Sequence, residues 1–121
     1  MDLTQFDYLE LLGGFLVLSV KASEEPMIDA IGREALASTS IIGREFEITL
    51  SSGLTGEELS VTLYHEVLEA AAVASDDPPE SLVEFNEADF DAAAYAAHAK
   101  FGPASPATLN HMLRFHGFDE L

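Results

Sequence analysis

The chain of 121 residues contains no cysteine, which removes disulfides, thiolate metal sites and cysteine nucleophiles together. Basic residues are scarce: five against 22 acidic ones, for a formal charge of −17. Such a surface repels DNA, RNA and anionic lipid, so ordinary phosphate binding is all but excluded. No apolar run reaches the roughly 18 residues that a membrane span requires. The opening MDLTQFDYLE is acidic and lacks the basic flank of a secretory signal. No repeat, low-complexity tract or linker divides the chain, and no Gly-rich phosphate loop follows a strand. No Ser-His-Asp constellation can be argued from spacing. The expectation is one soluble, cytoplasmic domain over residues 1–121, its 48% hydrophobic content enough for one packed core. The acidity itself fits a well-solvated or salt-adapted surface, a nucleic-acid mimic, or a holder of cations. Only the placement of the carboxylates separates these.

Hydrophobic patterning gives a coarse order of elements. Residues 2–12 carry apolar positions at Leu3, Phe6, Leu9, Leu11 and Leu12, the pattern of a short helix stopped by Gly13 and Gly14. FLVLSVK, 15–21, reads as a largely buried strand. Residues 27–42 are ambiguous: MIDAIGREALAS has a helical reading, whereas ALASTSII leans towards a strand. REFEITL, 44–50, alternates cleanly, with Phe46, Ile48 and Leu50 on one face. Thr55 and Glu58 have capping-box spacing ahead of a helix running to about Ala74. Ser81 and Glu84 offer a second box for a helix through about Lys100, ended by Gly102 and Pro103. A short helix from Pro106 to His116 closes the chain. The class is α+β.

Two segments carry chemistry. In the first long helix, His65 and Glu69 stand one turn apart on one face, with Glu66 about 100° around from His65. An imidazole and a carboxylate so placed can hold one metal ion, and the adjacent glutamate can act on a metal-bound water. The same residues also suit a solvated stripe. In the next helix, Glu87 and Asp91 share a face, with Glu84 and His98 near the same stripe. Face-to-face packing of the two helices lets Glu87 complete a three-ligand site. Asp91 then accepts the free ring proton of His65 and fixes its tautomer. An acidic exposed face is the plainer alternative.

Taken together, His65-Glu66-Val67-Leu68-Glu69 and Asn86-Glu87-Ala88-Asp89-Phe90-Asp91 resemble the zincin metallopeptidases of the gluzincin branch. That family sets H-E-x-x-H on one helix and N-E-x-x-x-D on a following one. The resemblance spans roughly residues 44–100 and implies a minimal zincin-like domain: a small mixed β-sheet packed on the motif helix, with the second motif helix completing the site. It implies His65 as first ligand, Glu66 as general base, Glu87 as third ligand and Asp91 as the hydrogen-bond partner of His65. It also likens REFEITL to the edge strand beside a zincin's substrate cleft. The implied reaction is metal-assisted hydrolysis of a peptide bond, with an extended peptide or protein segment as partner, no nucleic acid and no membrane.

Glu69 departs from the family by replacing the second histidine ligand. A shell of His65, Glu69 and Glu87 leaves a divalent ion formally neutral, which weakens its Lewis acidity. Zinc is the first choice of cofactor, with Mn²⁺ or Fe²⁺ favoured more than usual by the extra oxygen ligand. Activity is accordingly expected to be weak or absent, and a non-catalytic acidic binding module, as a zincin-like relic or a nucleic-acid mimic, stands as the alternative. Gathering Glu66, Glu69, Glu87 and Asp91 around one histidine without a cation costs several kcal/mol or forces protonation. Tyr64 offers either core packing or a phenol aimed at an oxyanion. His98 is a spare ligand candidate, and His111 and His116 read as surface residues.

Overall fold

The computed structural model describes residues 1–25, 27–28 and 34–119. Strands β1 (Leu9–Leu11), β2 (Phe15–Ser23), β5 (Ala37–Ile42) and β6 (Glu45–Ser51) form one mixed sheet in the order β1-β2-β6-β5. Met27–Ile28 (β3) and Glu34–Ala35 (β4) pair as a separate antiparallel ribbon. Three helices follow: α1 (Gly56–Ala74), α2 (Glu87–Phe101) and α3 (Pro106–Phe115). The α+β class expected from the pattern is the class observed.

The sheet builds outward from β6. Its alternation buries Phe46, Ile48 and Leu50 and leaves Glu45 and Glu47 exposed. β6 runs parallel to β2 and antiparallel to β5, to which a tight turn with Gly43 at φ 63° connects it. A register shift between Val17 and Ser19 changes the phase of β2, so Val17 and Val20, three residues apart, are both buried. Helix α1 lies against β5 and β6. It contributes Leu63, Val67 and Leu68 to the same core as Phe46 and Ile48. Phe15 stacks on Phe46 at 5.4 Å and meets Phe118 edge-on, tying the C-terminal segment to the sheet.

Four sequence expectations change. Residues 2–12 do not form a helix: Leu3–Phe6 make one 3₁₀ turn, and β1 then pairs with β2. Tyr8, at φ 53°, breaks the helical path, and its N–H goes to the carbonyl of Leu18 in the sheet. The helical reading of residues 27–38 also fails where it can be followed, because 27–28 and 34–35 are strand. Residues 29–33 lie outside those described. The second long helix begins at Glu87 rather than near Ser81. Asn86 accepts from the Asp89 N–H, and Asp89 accepts in return from the Asn86 N–H, a reciprocal cap that outcompetes Ser81 and Glu84.

Helix α1 starts where expected but without the expected cap: Thr55 makes no side-chain bond. Gly56, at φ 55°, turns the backbone left-handed, so the Thr55 hydroxyl does not meet the first free N–H groups. No helix among the described residues is long and apolar enough to cross a membrane.

Candidate metal site

Helices α1 and α2 pack against each other. On α2 the residues turned inward are Phe90, Ala94 and Ala97. The two alanines let the backbones approach closely, which brings the first turns of α2 alongside the middle of α1. Buried Phe90 backs the His65 ring at 6.1 Å between centroids. Because the Asn86 cap makes Glu87 the first helical residue, Glu87 and Asp91 stand one turn apart and face His65.

Both nitrogens of that imidazole are engaged. Nδ1 donates to Asp91 Oδ1 at 2.9 Å; a carboxylate only accepts, so this bond places a hydrogen on Nδ1. Nε2 lies 3.1 Å from Glu87 Oε2 and 3.7 Å from Glu69 Oε2. Tetrahedral ligands at zinc distances stand about 3.3 Å apart, and the two separations bracket that value. His65, Glu66 and Glu69 each offer a ligand atom within 4.8 Å of one another, a group that can hold a metal ion. The donor set of one imidazole and several carboxylates fits Zn²⁺, Mn²⁺ or Fe²⁺ without selecting among them.

The carboxylates of Glu69, Glu87 and Asp91 gather around His65, with Glu66 beside them. His65 is pushed from 6.5 to about 9, chiefly by its hydrogen bond to Glu69, against desolvation and with help from Asp91. Glu87 lies nearer to Nε2, but its side chain is 77% exposed against 29% for Glu69, so solvent screens it more. Glu69 is itself lowered, first by His65. Glu87 is raised, first by its hydrogen bond to Glu69. Glu69 and Glu87 therefore titrate as a pair, with Glu87 the weaker acid of the two. Burial raises Glu66, opposed by a hydrogen bond from Thr39.

Thr39 is the residue that sequence reasoning missed. Its hydroxyl donates to Glu66 Oε1 at 3.0 Å from the neighbouring strand β5. The available signal was phase: Ala37, Thr39 and Ile41 form the half-buried face of β5, and a hydroxyl on that face needs a partner. The strand beside the site is likewise β5, not the 44–50 segment. β6 is paired on both sides, whereas β5 ends the sheet. An open cleft of about 230 Å³ lies at the start of this strand, lined by Leu36, Ala37, Thr62, His65 and Glu66, with Glu87 and Asp91 of α2.

The other candidates fall elsewhere. Tyr64 is fully buried, and its hydroxyl donates to the Gly102 carbonyl at 2.8 Å, so it packs the core and faces no oxyanion. His98 Nδ1 pairs with Ser60 Oγ at 2.8 Å, and the same hydroxyl accepts from the Ala104 N–H. That pair ties α1 to the α2–α3 connection, away from His65. His111 is exposed, as expected, while His116 is half-buried against Phe85 and Phe115 and lowered by desolvation. A larger cleft of about 670 Å³ lies between Arg44, Asp76, Pro79 and Phe118. Its one cation donates to the Gly13 carbonyl and stacks on Phe15, and no group of metal-ligand atoms converges there among the described residues. No family model, no curated protein and no solved structure matches the chain.

Proposed function

We propose that this chain is a zincin-like, metal-dependent hydrolase of peptide bonds, with His65, Glu69 and Glu87 holding one divalent ion and Glu66 as general base. The observation that carries the reading is the two-sided engagement of His65. Asp91 takes the Nδ1 hydrogen, which leaves Nε2 directed between two carboxylates at ligand-like separations. Both motifs of the resemblance thus meet at one imidazole, although they lie on different helices.

An ion bound there supplies Lewis-acid polarisation of a carbonyl and lowers the pKa of a water molecule. Asp91 holds the imidazole in one tautomer and orientation. Glu66 would take a proton from the attacking water while Thr39 holds its Oε1. The substrate is an extended segment laid beside β5, where main-chain hydrogen bonding to the outer strand orients it along the cleft. Glu69 in place of a histidine makes the shell neutral and predicts slow turnover, with Mn²⁺ and Fe²⁺ competing with Zn²⁺.

A non-catalytic acidic binding module is the second reading. What favours it is the protonation of His65, which lets a proton neutralise part of the cluster in place of a cation. The deciding experiment compares native protein with Glu66→Gln on a peptide library after loading with Zn²⁺ or Mn²⁺. The hydrolase reading expects cleavage by the native protein and loss of it in the variant, with metal uptake equal in both. Equal cleavage by both rejects Glu66 as base. Metal-free protein that cleaves nothing and ignores chelator leaves the binding module standing.

A further inference from the structure

The two edges of the main sheet are built differently. At one side β1 is three residues long and carries the exposed Glu10. At the other, β5 is six residues long, and residues 35–42 (ALASTSII) hold no charge, proline or glycine in a chain of net charge −17. Short length, charge and proline are what keep a strand edge from pairing with another chain, and β5 has none of these. Its outward main-chain groups can be named. The Ser51 N–H donates to the Leu36 carbonyl at 2.8 Å, and β5 runs antiparallel to β6 with Ala37 opposite Leu50. In such a ladder alternate residues turn their main-chain groups to the same neighbour. Leu36, Ser38, Ser40 and Ile42 therefore address β6. Ala37, Thr39 and Ile41 point theirs away from the sheet, where no strand among the described residues pairs with them.

The segment is also complementary to itself. Laid antiparallel on a second copy about Thr39, it sets Leu36 against Ile42, Ala37 against Ile41, Ser38 against Ser40, and Thr39 against Thr39. Apolar meets apolar and hydroxyl meets hydroxyl. Leu36 and Ile42, 54% and 73% exposed, then cover each other at both ends. We propose that β5 is an interface between two copies of this chain, paired antiparallel about a two-fold axis at Thr39 into one continuous sheet. The outward main-chain groups of Ala37 and Ile41 bond across the axis, as do those of the two Thr39 residues. The pairing sets Ile41 of the second copy beside Ala37, which lines the cleft at His65. One strand edge offers less than the roughly 800 Å² per partner of a stable interface, so the dimer is weak and depends on concentration. The proposal does not require a bound ion. On the hydrolase reading, a substrate strand has to displace the second copy.

The test uses metal-free native protein and two variants. Sedimentation velocity is run from about 1 μM to about 1 mM protein, in about 0.5 M NaCl so that repulsion between the acidic copies is screened within a few ångströms. Ser38→Cys and Ser40→Cys, both at exposed positions of a chain without cysteine, then report the register under mild oxidation. Ser38 and Ser40 form a pair without main-chain bonds across the axis, with Cα atoms about 4.5 Å apart, inside disulfide range. The proposal expects monomer at the lowest concentration and dimer at the highest. It also expects a mixture of the two variants, one of them tagged, to give the mixed disulfide at least about tenfold faster than either variant alone links to itself. Monomer at every concentration overturns the proposal and leaves the edge to a strand of another sequence. A dimer whose mixed variants link no faster than each alone overturns the pairing about Thr39.

Discussion

On the proposed metal-site reading, proton and metal compete for His65, which sets opposite pH dependences for the metal-free and metal-loaded protein. In the metal-free state the imidazole is raised from 6.5 to about 9. A raised histidine adds stability that is fully present below pH 6.5 and is lost as pH climbs through about 9. The interval corresponds to about 3 kcal/mol for a fully shielded group, and solvent around the exposed acids of α2 reduces it to about 1–2 kcal/mol. Metal binding must expel one proton from the ring, so apparent affinity rises about tenfold per pH unit below pH 9, or about a hundredfold between pH 6 and pH 8. Thermal melts of chelator-stripped protein should therefore fall from pH 6.5 to pH 9. Melts in excess Zn²⁺ should rise relative to them across the same range. Calorimetric titrations at pH 6, 7 and 8 give the slope directly, and His65→Ala should flatten both trends. Parallel melting curves, or affinity independent of pH, would refute the reasoning.

Asp91→Ala frees Nδ1 and should lower metal affinity about ten- to a hundredfold, with little loss of metal-free stability because Asp91 reaches solvent; competition with a chromogenic chelator measures it. Tyr64→Phe removes the bond to Gly102 and should cost about 1 kcal/mol in urea unfolding while leaving metal affinity unchanged. A change in affinity there would mean that the phenol serves the site after all. His116, lowered by burial, contributes in the opposite sense to His65: stability falls as pH drops below 6.5, and His116→Phe should blunt that acid limb in melts from pH 7 to pH 5.

Periodicity read well where one face of an element meets the core and the other meets water. Phe46, Ile48 and Leu50 announced β6, and the spacing of Leu59, Leu63, Val67 and Ala70 announced α1. The same logic brought out His65, Glu66 and Glu69 on one helix and Glu87 and Asp91 on another. What local pattern does not contain is pairing. Leu3, Phe6 and Leu9 have helical spacing, yet Leu9–Leu11 is drawn into the sheet by β2, a partner that spacing cannot reveal. The family resemblance likens the 44–50 segment to an edge strand. It lies inside the sheet because Glu45 and Glu47 face solvent from its outer surface while both of its sides are hydrogen-bonded. Thr39 was invisible for a related reason: its importance lies in a carboxylate 27 residues away. The capping-box spacing picks out Ser81 and Glu84 and passes over Asn86, although Asn86 and Asp89 form the same reciprocal bonds.

In the proposed reading, one imidazole and the acids of two helices make a common ion site. Its most direct measurement is a crystal soaked in Zn²⁺ or Mn²⁺ and examined by anomalous scattering at the metal's absorption edge. The account predicts one ion per chain, about 2.0–2.2 Å from His65 Nε2 and from oxygens of Glu69 and Glu87, and no such ion in His65→Ala. An empty cluster in loaded crystals, or an ion that stays in place without His65, would contradict it.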